Sequence, residues 1–406
     1  MAGTVVMKFG GTSVADAERI KRAAQRIVAK REAGNRVVAV LSARGKTTDA
    51  LIADAFEISP QPDPREMDML LSTGERQSCA LCAMAINDLG HRAISLTGSQ
   101  AGIVTDTSHT KARILDVRAD RIRVALDDDA VVLVAGFQGV STAKDVTTLG
   151  RGGSDTTAVA LAAAIGADVC EIYTDVAGVF SADPRVVPDA RKLPVVSFEE
   201  MLEMSASGAG VLQLRSVEYA RNHGVRIHCR SSFSDAPGTV VGDDADPAAD
   251  PRPAITAVTH STDEARVTLE HVPDAPGMAG RIATVLADAN VNIDMIIQNE
   301  PVAAGAGADM SFTVPRADLR DALGALSQLA DDLDIAITTD ETVGKISVIG
   351  EGMKTLPGVA ASVFSTLGDE RVNIQMIATS PIKISCVIDQ ASVPDAVRAL
   401  HRAFLS

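Results

Sequence analysis

Two glycine-rich stretches carry residue types suited to holding phosphate and carboxylate groups. In Lys8-Phe9-Gly10-Gly11-Thr12-Ser13-Val14, a lysine precedes paired glycines and two hydroxyls. An apolar run, Val5-Val6-Met7, leads in, and a helix-like segment at 17–29 follows. Glycine lets backbone N–H groups approach an anion with no Cβ in the way. A helix start adds the positive end of its dipole, and lysine adds a mobile charge. This is the chemistry of a kinase's phosphate-holding corner, and an ordinary strand-to-helix turn uses the same residues. The second stretch is Leu149-Gly150-Arg151-Gly152-Gly153-Ser154-Asp155-Thr156-Thr157. Its glycines precede an alanine-rich helix whose N-cap is expected at Ser154 or Asp155. Arg151 has the planar fork that grips a carboxylate bidentately. Asp155 is placed either to orient the lysine or simply to complement the helix dipole.

Three further stretches offer polar groups beyond strand ends. Ser42, Thr47 and Thr48 follow an apolar strand and suit either a small substrate or turn and N-cap duty. There, Gly45-Lys46-Thr47 resembles the end of a Walker A loop, but that loop needs glycine at position 40, which is Val40. A P-loop NTPase is therefore not expected. In Ser72-Thr73-Gly74-Glu75-Arg76, Glu75 opens a helix and is suited to an ammonium group or to the helix dipole alone. Thr174-Asp175-Val176-Ala177-Gly178-Val179-Phe180-Ser181-Ala182-Asp183-Pro184-Arg185 offers hydroxyl, carboxylate and glycine backbone for a ribose and base. Turn chemistry alone also accounts for it. Cys79 and Cys82 form a C-x-x-C inside an alanine-rich helical pattern with no second pair or histidine nearby, so core packing is expected.

The elements that must position these groups alternate along residues 1 to about 240. Strands are predicted at Thr4–Phe9, Arg36–Leu41, 92–96, 130–135, Val169–Thr174 and 225–229, with helices at 17–29, 74–89, 154–165 and 216–223. Near-continuous valine runs suit strands buried on both faces of a parallel sheet. The expected fold is an α/β sandwich with a mainly parallel sheet, whose ligands sit beyond the carboxyl ends of the strands. Residues 242–253, rich in Asp and Pro, read as a linker. Beyond it a unit repeats with an offset of 81 residues: Pro276-Gly277 and Val291-Asn292-Ile293, then Pro357-Gly358 and Val372-Asn373-Ile374. Each copy is read as β, Pro-Gly turn, α, β, β, α, β, a ferredoxin-like module that binds a small ligand between copies or serves only to dimerise.

The balance of residues narrows the function classes. A net charge of −15 with scattered lysines and arginines argues against nucleic acid, as do two Tyr and no Trp. No run of eighteen apolar residues is present, so no membrane association is expected. Five cysteines point to reduced thiols, and the absence of a leader pattern at the start makes a cytoplasmic location the expectation.

Taken in order, these stretches resemble the aspartokinase family, together with Thr97-Gly98-Ser99-Gln100-Ala101-Gly102 and the double Asn-Ile module. The resemblance spans nearly the whole chain. It implies a three-layer amino-acid-kinase sandwich (1–242), a linker (243–253) and two ACT regulatory modules (254–342 and 343–406). It also implies transfer of the γ-phosphate of ATP to the β-carboxylate of L-aspartate, the first step toward lysine, threonine and methionine. On this basis Lys8, Gly10 and Gly11 would hold phosphates, with Mg²⁺ bridging phosphate oxygens and no protein metal site. Asp155 would orient Lys8. Aspartate would lie among Ser42, Thr48, Glu75, Arg151 and Ser154. Nucleotide would lie along Thr174, Asp175, Phe180, Asp183 and Arg185. Lysine and threonine would act as effectors near Asp274, Gly277, Ala279, Asn292, Ile293, Asp294 and Gln298, and near Pro357, Asn373 and Ile374, and the modules would associate between chains. The alternatives are a kinase of the same fold for another amino acid and a weakly active sensing paralogue. Two positions depart from the family pattern: Gly210, where a lysine usually faces the nucleotide, and Arg44, where methionine is common.

Overall fold

A computed structural model of the chain describes residues 3–242, 254–299 and 307–405. The linker expected at 243–253 lies outside the described residues. The described residues form two compact units, one of 3–179, 192–205 and 210–242, the other of 180–191, 206–209 and the remainder.

In the first unit an eight-stranded sheet runs Val195–Val196, Thr239–Val241, Ile227–Ser231, Val169–Thr174, Thr4–Phe9, Arg36–Leu41, Val131–Ala135, Ala93–Leu96. Every pairing is parallel except that of Ile227–Ser231 with Thr239–Val241. The central strands are buried, save for Arg36 at the start of Arg36–Leu41, as their valine runs predict. Alternation along Thr4–Phe9 sorts its side chains. Val5, Met7 and Phe9 join one core with Ile20, Ile27 and Ile86 from the helices Ala17–Glu32 and Thr73–Asp88. Lys8 takes the opposite face, toward the helix Gly153–Ile165.

A second sheet, in the order Ile114–Val117, Ile103–Thr105, Gln138–Ser141, Val146–Thr148, was not expected from the sequence. Its strands are only three or four residues long, too short for alternation to stand out. All five cysteines are unbridged and buried, Cys79 and Cys82 in the core as expected. Among the described residues no helix is long and apolar enough to cross a membrane.

The second unit holds both copies of the repeat. The first is a complete β-α-β-β-α-β module, its sheet ordered Asp294–Gln298, Ala308–Pro315, Glu264–Val272, Ala336–Asp340. The second departs from the expected unit. After Val343–Ile349, a helix, Ile374–Ser380 and Lys383–Asp389, its last element is the helix Val393–Leu405, with no closing strand. The fourth strand is Ala257–Ser261, from ahead of the first module, antiparallel to Val343–Ile349. The two copies are therefore nested, not laid end to end. In both, the Pro-Gly turn places glycine at the helix N-cap in left-handed conformation, Gly277 at φ 91° and Gly358 at φ 93°, where a side chain would be strained.

Candidate active site

The Lys8 ammonium lies 2.6 Å from Asp155 Oδ1, and the two residues are only 9% and 7% exposed. Strand Thr4–Phe9 brings Lys8 to the sheet's carboxyl end, and Asp155 stands in the first turn of Gly153–Ile165. The N-cap of that helix is Gly152, not Ser154 or Asp155. Gly150 and Gly152 both take positive φ, 74° and 70°, and start the helix earlier than the polar residues suggest. Any side chain at Gly152 would collide with Gln213, its Cβ falling 2.1 Å from Gln213 Cγ. Freed from capping, the Asp155 carboxylate serves the lysine.

The paired glycines divide their work differently from the expectation. The Gly10 N–H donates to the Tyr173 carbonyl at 3.3 Å. Of the two amides expected at phosphate, only that of Gly11 lacks a protein acceptor among the described residues. Gly11 has a second duty: a Cβ there would lie 2.8 Å from the Ala43 carbonyl oxygen. The bare α-carbon lets the 10–14 turn close onto the 42–45 loop, where Gly45 N–H donates to Gly11 O at 3.0 Å. The segment after the glycines is a 3-10 turn, Gly11–Val14, and the α-helix begins at Ala17 with Asp16 capping it. Its dipole is therefore complemented by that carboxylate rather than left for a ligand.

Ala43 links this corner to Glu75. Its N–H donates to Glu75 Oε1 at 3.2 Å, while Gly74 packs close enough that a Cβ would sit 2.7 Å from Ala43 Cβ. Glu75 is 3% exposed, and Oε2 has no partner in the protein. Burial pushes its carboxyl up to about 7, against smaller opposing effects from backbone N–H groups and Arg76. A buried carboxylate oxygen without a partner fits a ligand ammonium. Ser42 is half-buried, its N–H donating to Phe9 O at 3.1 Å. Thr48 opens the helix Thr47–Ile58, half-buried, and Ser154 is buried beside Gly136. Arg151 is exposed and has no ion-pair partner among the described residues. Arg44 is half-buried, its Nη2 reaching the Ala15 carbonyl at 3.5 Å and its Nε unpartnered.

Asp68 escaped the sequence reading. It is wholly buried on the helix Pro64–Leu71 and accepts from His109 Nδ1 at 2.7 Å, Thr110 N–H at 3.1 Å and Thr148 Oγ1 at 2.5 Å. This clamp fixes the 109–111 loop, whose Thr110 carbonyl lies against Gly150. An acid between methionines in a short helix carries no sequence signal of such a role.

The residues expected along a nucleotide fall in both units. Thr174 ends its strand and donates to Asp175 Oδ1 at 3.0 Å. Phe180, Asp183 and Arg185 belong to the second unit. There the Arg185 guanidinium grips Asp183 through Nη2 at 2.7 Å and Nε at 3.0 Å, holding the Asp183 carboxyl below its usual range.

In the repeated modules Asp274, Gly277, Ala279, Asn292, Pro357 and Asn373 are exposed at the Pro-Gly turns and strand starts, Gln298 is exposed at the end of Asp294–Gln298, and Ile293 and Ile374 are half-buried. Asp294 is engaged already: Lys345 Nζ lies 2.9 Å from its carboxylate and 2.8 Å from that of Glu264. Burial pulls the Lys345 ammonium down, but the two carboxylates outweigh it and leave its pKa raised.

Residues 3–231 match the model of the amino acid kinase family, and 267–331 and 346–404 match ACT-domain models. The chain is 54% identical to an aspartokinase of Mycolicibacterium smegmatis over 98% of this chain and 96% of that one. It is similar, with a TM-score of 0.86 and 25% identity, to the crystal structure of E. coli aspartokinase III with aspartate and ADP in the R-state, covering 99% of this chain and 100% of that one. Against the same enzyme with lysine and aspartate in the T-state, the TM-score is 0.74 at 25% identity, with the same coverage.

Proposed function

The chain belongs to the aspartokinases, ATP-dependent enzymes that phosphorylate aspartate on the way to lysine, threonine and methionine, and on that premise we propose that Lys8 and Asp155 form its transfer centre, with Glu75 holding the substrate. The observation that carries this reading is the buried Lys8–Asp155 pair, supported by a buried Glu75 oxygen that lacks a partner.

The side-chain carboxylate of aspartate is already ionised at neutral pH and needs no general base. Its oxygen attacks the γ-phosphorus while the bond to the β-phosphate oxygen breaks, and the protein's task is positioning and charge neutralisation. Glu75 Oε2 receives the substrate ammonium, and Arg151 grips its α-carboxylate beside Ser42, Thr48 and Ser154. Lys8 neutralises charge on the transferring phosphoryl oxygens, held in place by Asp155, with the Gly11 amide adding a donor. Thr174, Asp175, Phe180, Asp183 and Arg185 line the nucleotide. No three His, Cys, Asp or Glu side chains converge into a metal cage among the described residues. Mg²⁺ carried on the nucleotide phosphates would neutralise their charge.

Lysine, bound by the E. coli relative, and threonine are the proposed effectors, acting at the Pro-Gly turns and Asn-Ile strand starts of the two modules. Association between chains through these modules and a cytoplasmic location complete the reading. Purified protein given ATP, Mg²⁺ and L-aspartate should form aspartyl phosphate, trapped as its hydroxamate by hydroxylamine. Asp155→Asn should reduce the rate roughly 100-fold while the fold is retained. Wild-type-like turnover in that variant would remove Asp155 from the centre.

A further inference from the structure

The segment 180–191, which carries Asp183 and Arg185, is built into the core of the second ACT module, and we propose that Ser181 and His401 are positioning residues for ATP. This rests on the reading above that the Asp183-Pro184-Arg185 turn holds nucleotide. The chain leaves the first unit after Val179 and returns at Lys192. Between these points it behaves as part of the regulatory module. Ala182 and Val187 are buried in one apolar cluster with Val258, Ile346, Val397 and Leu400.

Ser181 is the pivot of this attachment. It is 1% exposed, and each of its polar groups is engaged. Its N–H donates to Arg191 O at 2.8 Å, and its carbonyl accepts from Val258 N–H at 2.8 Å, on the borrowed strand Ala257–Ser261. Its hydroxyl accepts from Arg191 N–H at 2.9 Å and meets His401 Nε2 at 2.9 Å. His401 is 3% exposed on the closing helix Val393–Leu405. The Arg191 guanidinium also donates to the Leu405 carbonyl at the end of that helix. Both ends of the segment are thus fastened to one regulatory helix. The turn between them is internally tied, with Val186 and Val187 N–H groups donating to Asp183 O at 3.0 and 2.9 Å. A rigid base under Asp183 and Arg185 sets where those side chains stand, so helix Val393–Leu405 controls their presentation to the nucleotide.

The test is steady-state kinetics of the full chain with Ser181→Ala, His401→Leu, His401→Gln and Asp183→Ala. Ser181→Ala and His401→Leu should each raise KM for ATP at least fivefold, with KM for aspartate and kcat within twofold of wild type. His401→Gln keeps an acceptor for the Ser181 hydroxyl and should recover most of the ATP affinity. The inference is overturned if Ser181→Ala and His401→Leu leave KM for ATP within twofold while Asp183→Ala raises it. It is also overturned if both variants lose kcat and both KM values together with a lowered melting temperature, which marks a purely structural role. Should Asp183→Ala, Ser181→Ala and His401→Leu all bind ATP like wild type, the nucleotide reading of the turn fails and this inference falls with it.

Discussion

Two buried lysines, one in each unit, show how the same side chain is put to opposite uses. Lys8 meets one carboxylate, Asp155, at the carboxyl end of a parallel sheet. Lys345 meets two, Glu264 and Asp294, and ties the first regulatory module to a strand of the second. An ammonium has three donors. With one carboxylate, Lys8 keeps donors to spare for an incoming phosphate. With two, Lys345 is charge-saturated and its site carries a net negative charge, which suits a fastening and not a phosphate. Lys8 also stands beside Gly10, where even a Cβ would come within 3.5 Å of its ammonium, so space at its tip is kept by the absence of a side chain.

The comparison can be broken by exchanging losses between the two sites. Lys8→Ala should lower kcat roughly 10³-fold or more, since it removes a charge aimed at the transferring group. Its melting temperature should fall as well, because Asp155 is left buried without its cation. Lys345→Met should lower the melting temperature while sparing the rate. Leaving the largely buried Glu264 carboxylate without its cation costs about 3 kcal/mol, the half-exposed Asp294 adding little, read as a fall in the denaturation midpoint with little change in kcat of the surviving enzyme. If Lys345→Met matched Lys8→Ala in kcat, the contrast between a working lysine and a fastening one would be lost.

Glu75 sharpens the comparison from the acidic side, as a buried carboxylate with neither lysine as partner. Its folded pKa is raised to about 7 by burial, so it is protonated below that pH and, in its proposed role, would hold the substrate ammonium only above it. The apparent affinity for aspartate should rise as pH rises through about 7. Glu75→Gln should remove that dependence and weaken aspartate binding roughly 10- to 100-fold at pH 8, the worth of a charge-assisted hydrogen bond. The ligand-free protein should show the opposite trend. A raised folded pKa means the native state holds its proton after the unfolded chain has released it, so stability falls between about pH 4.5 and 7. Glu75→Gln should abolish that slope. The smallest effect is expected at Gly210, where the space around a Cβ is open. Gly210→Lys should lower KM for ATP about threefold, in line with a partly solvated ion contact. An unchanged KM would mean Lys8 already neutralises the charge that a second lysine would meet.

Much of this arrangement was legible in the sequence because it rests on strong local patterns. The strands Thr4–Phe9, Arg36–Leu41 and Val169–Thr174 were read to the residue, since runs of buried apolar side chains leave little choice of boundary. The pairing of Lys8 with Asp155 was one of two readings that residue types on a strand end and a helix start left open. What failed to show depends on tertiary contacts. Gly152 is the N-cap because Gln213, far along the chain, fills the space beside it. The Gly10 amide is taken by a neighbouring strand's carbonyl. Asp68 is buried only because the helix bearing it meets Thr148 and the His109 loop. The attachment of 180–191 to the regulatory module rests on apolar residues spaced too irregularly for a periodic signal.

The borrowed strand Ala257–Ser261 also dictates the order in which the chain can be assembled. Its partner residues Ala257 and Ile349 are 92 positions apart, with the whole first module between them. Closing so long a loop of unstructured chain costs entropy that grows with its length, and folding the intervening module first brings the two ends together before they pair. The segment 343–405 produced without residue 257 onward would present the unpaired edge of Val343–Ile349, a ready template for joining another chain.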